Sequence, residues 1–145
     1  MRVLGLDVGE RRIGVALSDS LGLTAQRLSV LTRGGLKGDV EAIGQLVTQH
    51  EVGTIVVGLP LTLRGERGPQ AQRVLTFVDA LRRRLEVSIQ FVDERLKTAQ
   101  GERALLETDT SRRKRKQVID QVAAQLILQQ YLDTHREGQK VEGGG

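Results

Sequence analysis

The order of secondary-structure signals along the chain constrains its fold more than any other feature. Three short apolar runs at 2–8, 13–18 and 26–31 are separated by turn residues, which predicts a meander of three antiparallel strands. Beyond them, segments with helical spacing alternate with apolar runs at 54–58 and 87–92, which predicts βα units with parallel strands. The sequence therefore predicts an α/β fold in which a mixed five-stranded sheet carries helices on its faces.

The segments around these strands complete the outline. Gly9-Glu10-Arg11-Arg12 predicts a tight hairpin connection in which Gly9 is able to take a positive φ, and the glycine-rich stretch 33–38 is predicted to be flexible. The predicted helices cover 39–50, 69–84, 96–107 and a last segment that opens at 112 and ends near 134. A chain of 145 residues is expected to form one domain, over 1–136, followed by a disordered tail at 137–145.

Three acidic side chains stand in apolar surroundings. Asp7 interrupts the first strand, Glu94 follows Asp93 at the end of the strand at 87–92, and Asp120 lies among apolar residues of the last helix. A buried carboxylate is costly unless it is paired or bound to a metal. Ligands of open α/β sheets gather at the carboxyl ends of the strands. The three residues therefore predict a site for Mg²⁺ or Mn²⁺ and chemistry on phosphates.

Each carboxylate also has a structural interpretation. Asp7 could cap the hairpin, Asp120 could be a satisfied buried residue, and the acidic pair at 93–94 could be a solvated strand end next to Arg95. A shift of one residue exchanges Asp93 and Glu94 between the two faces of the sheet, so strand alternation leaves both open as ligands. The longer side chain favours Glu94. The occurrence of all three together favours the metal site.

Charge and composition narrow the partners. The net charge of +4 is a weak signal for nucleic acid, but a basic cluster opens the last helix, where cations oppose the helix dipole. That cluster is Arg112, Arg113, Lys114, Arg115 and Lys116. Aromatic residues make up only 2% of the chain, which argues against base stacking and favours contacts to phosphates. The absence of cysteine excludes a thiolate zinc site, and no apolar run approaches the roughly 20 residues of a membrane span. A soluble, cytoplasmic protein is expected.

Four short motifs resemble those of the YqgF/RuvX family, in order and over residues 1 to about 134. They are Asp7-Val8-Gly9-Glu10-Arg11-Arg12-Ile13-Gly14-Val15-Ala16 with Ser18-Asp19, then Gly58-Leu59-Pro60, then Asp93-Glu94-Arg95-Leu96 with Thr98, and Ile119-Asp120-Gln121-Val122-Ala123-Ala124. Lys97 departs from the pattern, because the family often has a second Thr there. The resemblance implies a ribonuclease H-like fold and a site in which Asp7, Glu94 and Asp120 hold two divalent ions.

The resemblance also implies the activity. We expect a metal-dependent endonuclease that hydrolyses phosphodiester bonds, with processing of the 5′ end of pre-16S ribosomal RNA as the leading function. The alternatives are a Holliday junction resolvase and a non-catalytic nucleic-acid-binding protein. Arg11, Arg12 and Arg95 are expected to hold the scissile strand, Arg64 and Arg67 to close over it, and the basic cluster to bind a more distant phosphate. A homodimer is left open, since symmetric cleavage of a junction needs two sites.

Overall fold

The structure is a computed structural model that describes residues 1–60, 68–93 and 112–143, with the side chains of the last range described over 118–135. Its strands are β1 (Arg2–Val8), β2 (Arg12–Ser18), β3 (Ala25–Thr32), β4 (Val52–Leu59) and β5 (Ser88–Asp93). Its helices over these ranges are α1 (Leu36–Gln49), α2 (Pro69–Arg84) and α3 (Arg112–Gly143). Within the described part, no helix is long and apolar enough to cross a membrane.

The five strands form one mixed sheet with the order β3-β2-β1-β4-β5. The first three strands pair antiparallel, whereas β1 with β4 and β4 with β5 pair parallel. This arrangement confirms the predicted meander followed by βα units. Because β1 lies in the centre, its carboxyl end at Val8 lies beside that of β4 at Leu59.

The two faces of the sheet are covered differently. On one face, the large apolar side chains of the strands pack against α1 and α2, and Phe77 and Leu81 of α2 are fully buried there. On the other face, Ala16 and Val56 pack against α3 through side chains that include Ile127 and Leu128. The α3 face is built from smaller residues, so this helix can lie very close to the strands.

Two glycines mark the closest approach of α3. A Cβ added at Gly5 would lie 2.7 Å from the Cβ of Leu128 and 3.1 Å from the carbonyl oxygen of Ala124, and one added at Gly14 would overlap the carbonyl oxygen of Asp120. The helix is also tied to β3, because Gln129 accepts a 2.8 Å hydrogen bond from the backbone of Ala25. Glycine is therefore required at both strand positions, and the position of α3 over β1 and β2 is fixed.

Three local predictions need correction or extension. Gly9 does not take a positive φ; it is required because a Cβ there would lie 2.8 Å from the carbonyl oxygen of Arg12, across the hairpin. The stretch 33–38 is not a connection over its whole length, since residues 36–38 belong to α1, which begins at Leu36 after Gly35 takes a φ of 157°. α3 continues to Gly143, past the predicted end near 134. The division into a domain at 1–136 and a disordered tail at 137–145 stays a prediction. The helix predicted at 96–107 lies outside the described residues.

Candidate metal and nucleic-acid site

Asp7 and Asp120 are brought together by the contact of α3 with Gly14. In the β1–β2 ladder, Asp7 is the direct partner of Gly14, so their Cα atoms are about 4.5–5.5 Å apart. The backbone of Asp120 lies directly on Gly14, with its Cα 3.3 Å from where a Cβ would stand. Two acidic residues that are 113 positions apart in the sequence therefore lie beside one another at the end of the sheet.

Asp120 forms an ion pair with Arg12 in this structure. The Nε of Arg12 donates to Oδ2 of Asp120 over 2.7 Å, and the two side chains are 34% and 24% exposed. Arg12 starts β2, directly after the hairpin that follows β1. The guanidinium therefore neutralises one of the predicted metal ligands, and its partial exposure leaves it able to turn towards solvent.

The hairpin loop and Asp120 enclose a cleft of about 250 Å³. Its lining consists of Gly9, Glu10, Arg11, Arg12 and Asp120. The loop is closed by a 2.8 Å hydrogen bond from the amide of Gly9 to the carbonyl oxygen of Arg12, and the two residues between them are exposed. A polar cleft at a strand end with two arginines and two carboxylates suits a phosphate of the nucleic-acid backbone together with a cation.

Asp93 is the last residue of β5, an edge strand of the sheet. Its ladder partner is Leu59, and Phe91, two residues earlier, packs in the α1–α2 core, whereas Val92 packs in the α3 core. Alternation thus gives Asp93 the side of Phe91, and Asp7 the side of Val92. The next residue in the sequence is Glu94, which lies outside the described residues, so its part in the site stays a prediction.

The predicted nucleic-acid contacts divide into three groups. Arg11 and Arg12 lie in the hairpin beside Asp120, as described above. The basic cluster opens α3 as predicted: Arg112, Arg113, Lys114, Arg115 and Lys116 occupy the start of the helix that carries Asp120. Arg64, Arg67 and Arg95 lie outside the described residues. Two of the arginines that are expected to contact nucleic acid, Arg11 and Arg12, therefore lie beside Asp120.

No cluster of three or more metal-binding side chains occurs among the residues that the structure describes. Two of the predicted ligands, Asp7 and Asp120, are described and lie together, and Asp7 has a side-chain interaction of its own. The third predicted ligand, Glu94, is not among those residues. The described part accordingly provides two hard oxygen donors of the type that Mg²⁺ and Mn²⁺ prefer.

The pattern of the sequence did not reveal the buried ion pair of Arg33 with Asp39. Nε of Arg33 donates to Oδ2 of Asp39 over 3.1 Å, and its Nη1 donates to the carbonyl oxygen of Gly9 over 3.1 Å. Arg33 stands in a glycine-rich stretch, which favours a loop and gives no sign of burial. The one available signal was the acidic residue in the first turn of α1, a position that the helix dipole favours.

Comparison with known sequences identifies the family. The sequence profile of the RuvX family, described as Holliday junction resolvase, matches residues 1–134. The chain belongs to the RuvX family. A relative from Myxococcus xanthus is 50% identical over 136 residues, which cover 94% of this chain and 90% of that protein. One from Clostridium botulinum (strain Hall) is 48% identical over 134 residues, covering 92% and 98%. Both are named "Putative pre-16S rRNA nuclease", so the predicted membership of a nuclease family is confirmed.

Solved structures support the fold of this RuvX-family chain. The RuvC of T. thermophilus in complex with a Holliday junction substrate superposes with a TM-score of 0.62 at 14% identity, covering 94% of this chain and 96% of that one. The Fowlpox virus resolvase with Holliday junction DNA gives 0.53 at 13% identity, covering 92% and 98%. At such low identity the likeness concerns the fold alone. The predicted ribonuclease H-like fold is confirmed.

Proposed function

We propose that this RuvX-family protein is a metal-dependent endonuclease that processes the 5′ end of pre-16S ribosomal RNA in the cytoplasm. The observation that carries the proposal is the contact of α3 with Gly14, which sets Asp120 beside Asp7 at the end of β1. Two such carboxylates next to an arginine-bearing loop suit hydrolysis of a phosphodiester. The names of the relatives from Myxococcus and Clostridium support the ribosomal substrate.

The ligand set that we propose is Asp7, Glu94 and Asp120. The two described carboxylates fit Mg²⁺ or Mn²⁺, because both are oxygen donors and the two residues lie beside one another at Gly14, where Asp120 lines the cleft at the hairpin. Glu94 is included in the set because it follows Asp93 directly in the sequence and belongs to the motif Asp93-Glu94-Arg95-Leu96 that the chain shares with the family. Two divalent ions bound here would supply an activated water for in-line attack and stabilisation of the leaving oxygen. Asp93, on the face of the sheet that carries α1 and α2, is proposed to stabilise the end of β5 and not to bind the metal.

The arginines are proposed to bind and orient the nucleic acid. Arg11 and Arg12 would hold the phosphates next to the cleavage point, since both line the cleft with Asp120. Arg95, Arg64 and Arg67 are proposed to complete this grip, and the cluster at 112–116 is proposed to bind a more distant phosphate. Contacts to phosphates carry affinity and orientation without reading the sequence, so the shape of the RNA would select the cleavage point.

The test compares two substrates under three conditions. The purified full chain is incubated with an RNA that carries the 5′ flank of 16S ribosomal RNA or with a four-way DNA junction, in Mn²⁺, Mg²⁺ or EDTA. We expect cleavage of the RNA alone, dependent on metal. Paired, symmetric nicks in the junction alone would establish the resolvase alternative, which the family description favours and which requires a homodimer. Binding of both without cleavage would establish the non-catalytic alternative.

Replacement of Arg12 by Gln is expected to change the affinities for metal and for RNA in opposite directions. The variant loses the cation that neutralises Asp120, so Mn²⁺ should bind more tightly, by up to about 5-fold for a partly exposed ion pair. It also loses one phosphate contact, so the salt slope of RNA binding should fall by about 0.7–0.9. Calorimetry with Mn²⁺ and RNA titrations at several salt concentrations measure both effects.

Arg11 provides the matched control for this prediction. It lies in the same exposed hairpin but does not form the ion pair with Asp120. Arg11→Gln should therefore weaken RNA binding while leaving the affinity for Mn²⁺ as in the wild type. Equal Mn²⁺ affinities in the two variants would show that the pair of Arg12 with Asp120 does not compete with the metal.

A further inference from the structure

Arg33 holds the hairpin loop of the candidate site by its backbone and by its side chain. It follows β3 directly, and its amide donates to the carbonyl oxygen of Arg11 over 2.9 Å. Its Nη1 donates to the carbonyl oxygen of Gly9 over 3.1 Å. Gly9 and Arg11 are both loop residues that line the cleft with Asp120. One residue that follows a different strand, β3, therefore donates hydrogen bonds to two carbonyl groups of the same short loop.

The guanidinium of Arg33 is itself fixed on three sides. Asp39 accepts from its Nε over 3.1 Å, and the other carboxylate oxygen of Asp39 accepts from the amide of Gly34 over 3.1 Å. The guanidinium carbon lies 5.2 Å from the ring centre of Phe77, within cation–π range. Phe77 is fully buried in the core formed by α1 and α2. The loop is thus anchored to the buried core that α1 and α2 form with the sheet.

Stability alone does not account for this arrangement. The side chains of Arg33 and Asp39 are only 16% and 8% exposed, and taking such a pair out of water costs about as much as its attraction returns. Apolar residues of similar volume would serve the core at least as well. Because this largely buried arginine donates a hydrogen bond to the carbonyl oxygen of Gly9, its presence is better explained by the position that it gives the loop.

The loop is also held from the opposite face of the sheet. There, Arg12 at its end pairs with Asp120 of α3, while Arg33 binds Gly9 from the side of α1 and α2. Asp7 belongs to β1 and lies two residues before Gly9, the first residue of the loop. Movement of the loop would therefore change the position of Asp7 and Arg12 relative to Asp120.

We propose that Arg33 is a positioning residue of the active site, which fixes the hairpin loop and through it the geometry of Asp7 and Arg12. Its effects on metal binding and on cleavage rest on the proposed function, whereas its effect on the loop does not. Planar geometry is essential to this role, because a guanidinium can donate to a carboxylate and a carbonyl at once from fixed directions. A lysine ammonium keeps the positive charge but lacks the planar arrangement of donors that reaches a carboxylate and a carbonyl at once.

The test is the variant Arg33→Lys in the full chain. We expect the amides of Gly9 and Arg33, which close the loop and join it to β3, to exchange hydrogen faster than in the wild type, with other protected amides unchanged. Loss of a residue that orients metal ligands typically costs 10- to 100-fold. We therefore expect Mn²⁺ affinity and kcat each to fall by about 10-fold, with KM for RNA unchanged.

Arg27→Lys is the matched control, because Arg27 is exposed on the same strand β3. It should leave exchange, Mn²⁺ affinity and kcat as in the wild type. A merely structural role for Arg33 predicts a lower unfolding midpoint and faster exchange throughout the protein, with kcat per folded molecule unchanged; that result would overturn the proposal. If Arg33→Lys fails to fold, the double variant Arg33→Met with Asp39→Asn removes both buried charges and is held to the same outcomes.

Failure of the proposed function can be distinguished from failure of this inference. If the wild type cuts neither nucleic acid, the endonuclease assignment fails, but exchange at Gly9 still tests the role of Arg33 in fixing the loop. If the wild type cuts RNA and Arg33→Lys has unchanged local exchange, Mn²⁺ affinity and kcat, the positioning role is excluded while the function stands.

Discussion

Asp7→Asn is expected to abolish cleavage while the protein stays folded. Asparagine has almost the same shape as aspartate, so the β1–β2 ladder and the cleft should be retained. It lacks the negative charge that a divalent cation requires next to Asp120. Since loss of a mere supporting group around a metal costs 10- to 100-fold, loss of a ligand should reduce kcat on the order of 10²-fold or more.

The measurement is single-turnover cleavage of the RNA substrate in Mn²⁺, together with calorimetric titration of Mn²⁺ and a urea unfolding curve. Glu41→Gln is the matched control, because it removes an exposed carboxylate from α1. It should cleave at the wild-type rate. If Asp7→Asn cleaves at the wild-type rate, Asp7 is not a metal ligand. The urea unfolding curve shows whether the variant is folded, so that a loss of activity through unfolding is recognised as such.

Gly14→Ala is expected to be among the most destabilising single-methyl changes in this domain. The added Cβ would overlap the carbonyl oxygen of Asp120 and lie 2.6 Å from its carbonyl carbon. Neither atom can turn away as a side chain does, so α3 must lift from the sheet. Overpacking of this kind costs about 3 kcal/mol at the upper end of its usual range, out of a total stability of about 5–15 kcal/mol. Mn²⁺ affinity should fall with it, because Asp120 moves away from Asp7.

Gly38→Ala makes the same chemical change where there is room. Gly38 is an exposed residue of α1, and a Cβ there would meet nothing within 4 Å. Alanine favours the helix and restricts the unfolded chain, so the free energy of unfolding should rise by about 0.4–1 kcal/mol. Urea unfolding of both variants gives the comparison. Equal stability of Gly14→Ala and the wild type would show that α3 does not contact β2 as closely as described.

The sequence indicated the candidate residues because their chemistry conflicts with their surroundings. Asp7 and Asp120 each interrupt an apolar pattern, which is a local property of the chain and needs no coordinates. Their proximity was a hypothesis, since nothing in the sequence states which part of α3 crosses which strand. The close contact at Gly14 determines where α3 crosses β2, and a glycine in an apolar strand does not indicate which residue will pack on it.

Strand alternation shows the same division. Parity along 87–92 could be counted from the sequence, but the face to which each parity belongs could not. The packing of Phe91 against α1 and α2, and of Val92 against α3, decides it for Asp93. The buried pair of Arg33 with Asp39 was missed for a related reason: the glycines that follow Arg33 indicate a loop, while its burial depends on Phe77, a distant residue.

The sequence by itself determined the order of the strands along the chain, the change from meander to βα units, and the acidic and basic residues from which a phosphodiesterase site can be built. Periodicity, turn chemistry and misplaced charge are short-range signals that each segment carries alone. Only the tertiary structure decided that Asp7 lies beside Asp120, that Arg12 neutralises Asp120, and that Arg33 grips the loop between them. Those contacts join residues that are distant in the sequence, 108 positions apart for Arg12 and Asp120. They depend on how closely one helix can approach a sheet.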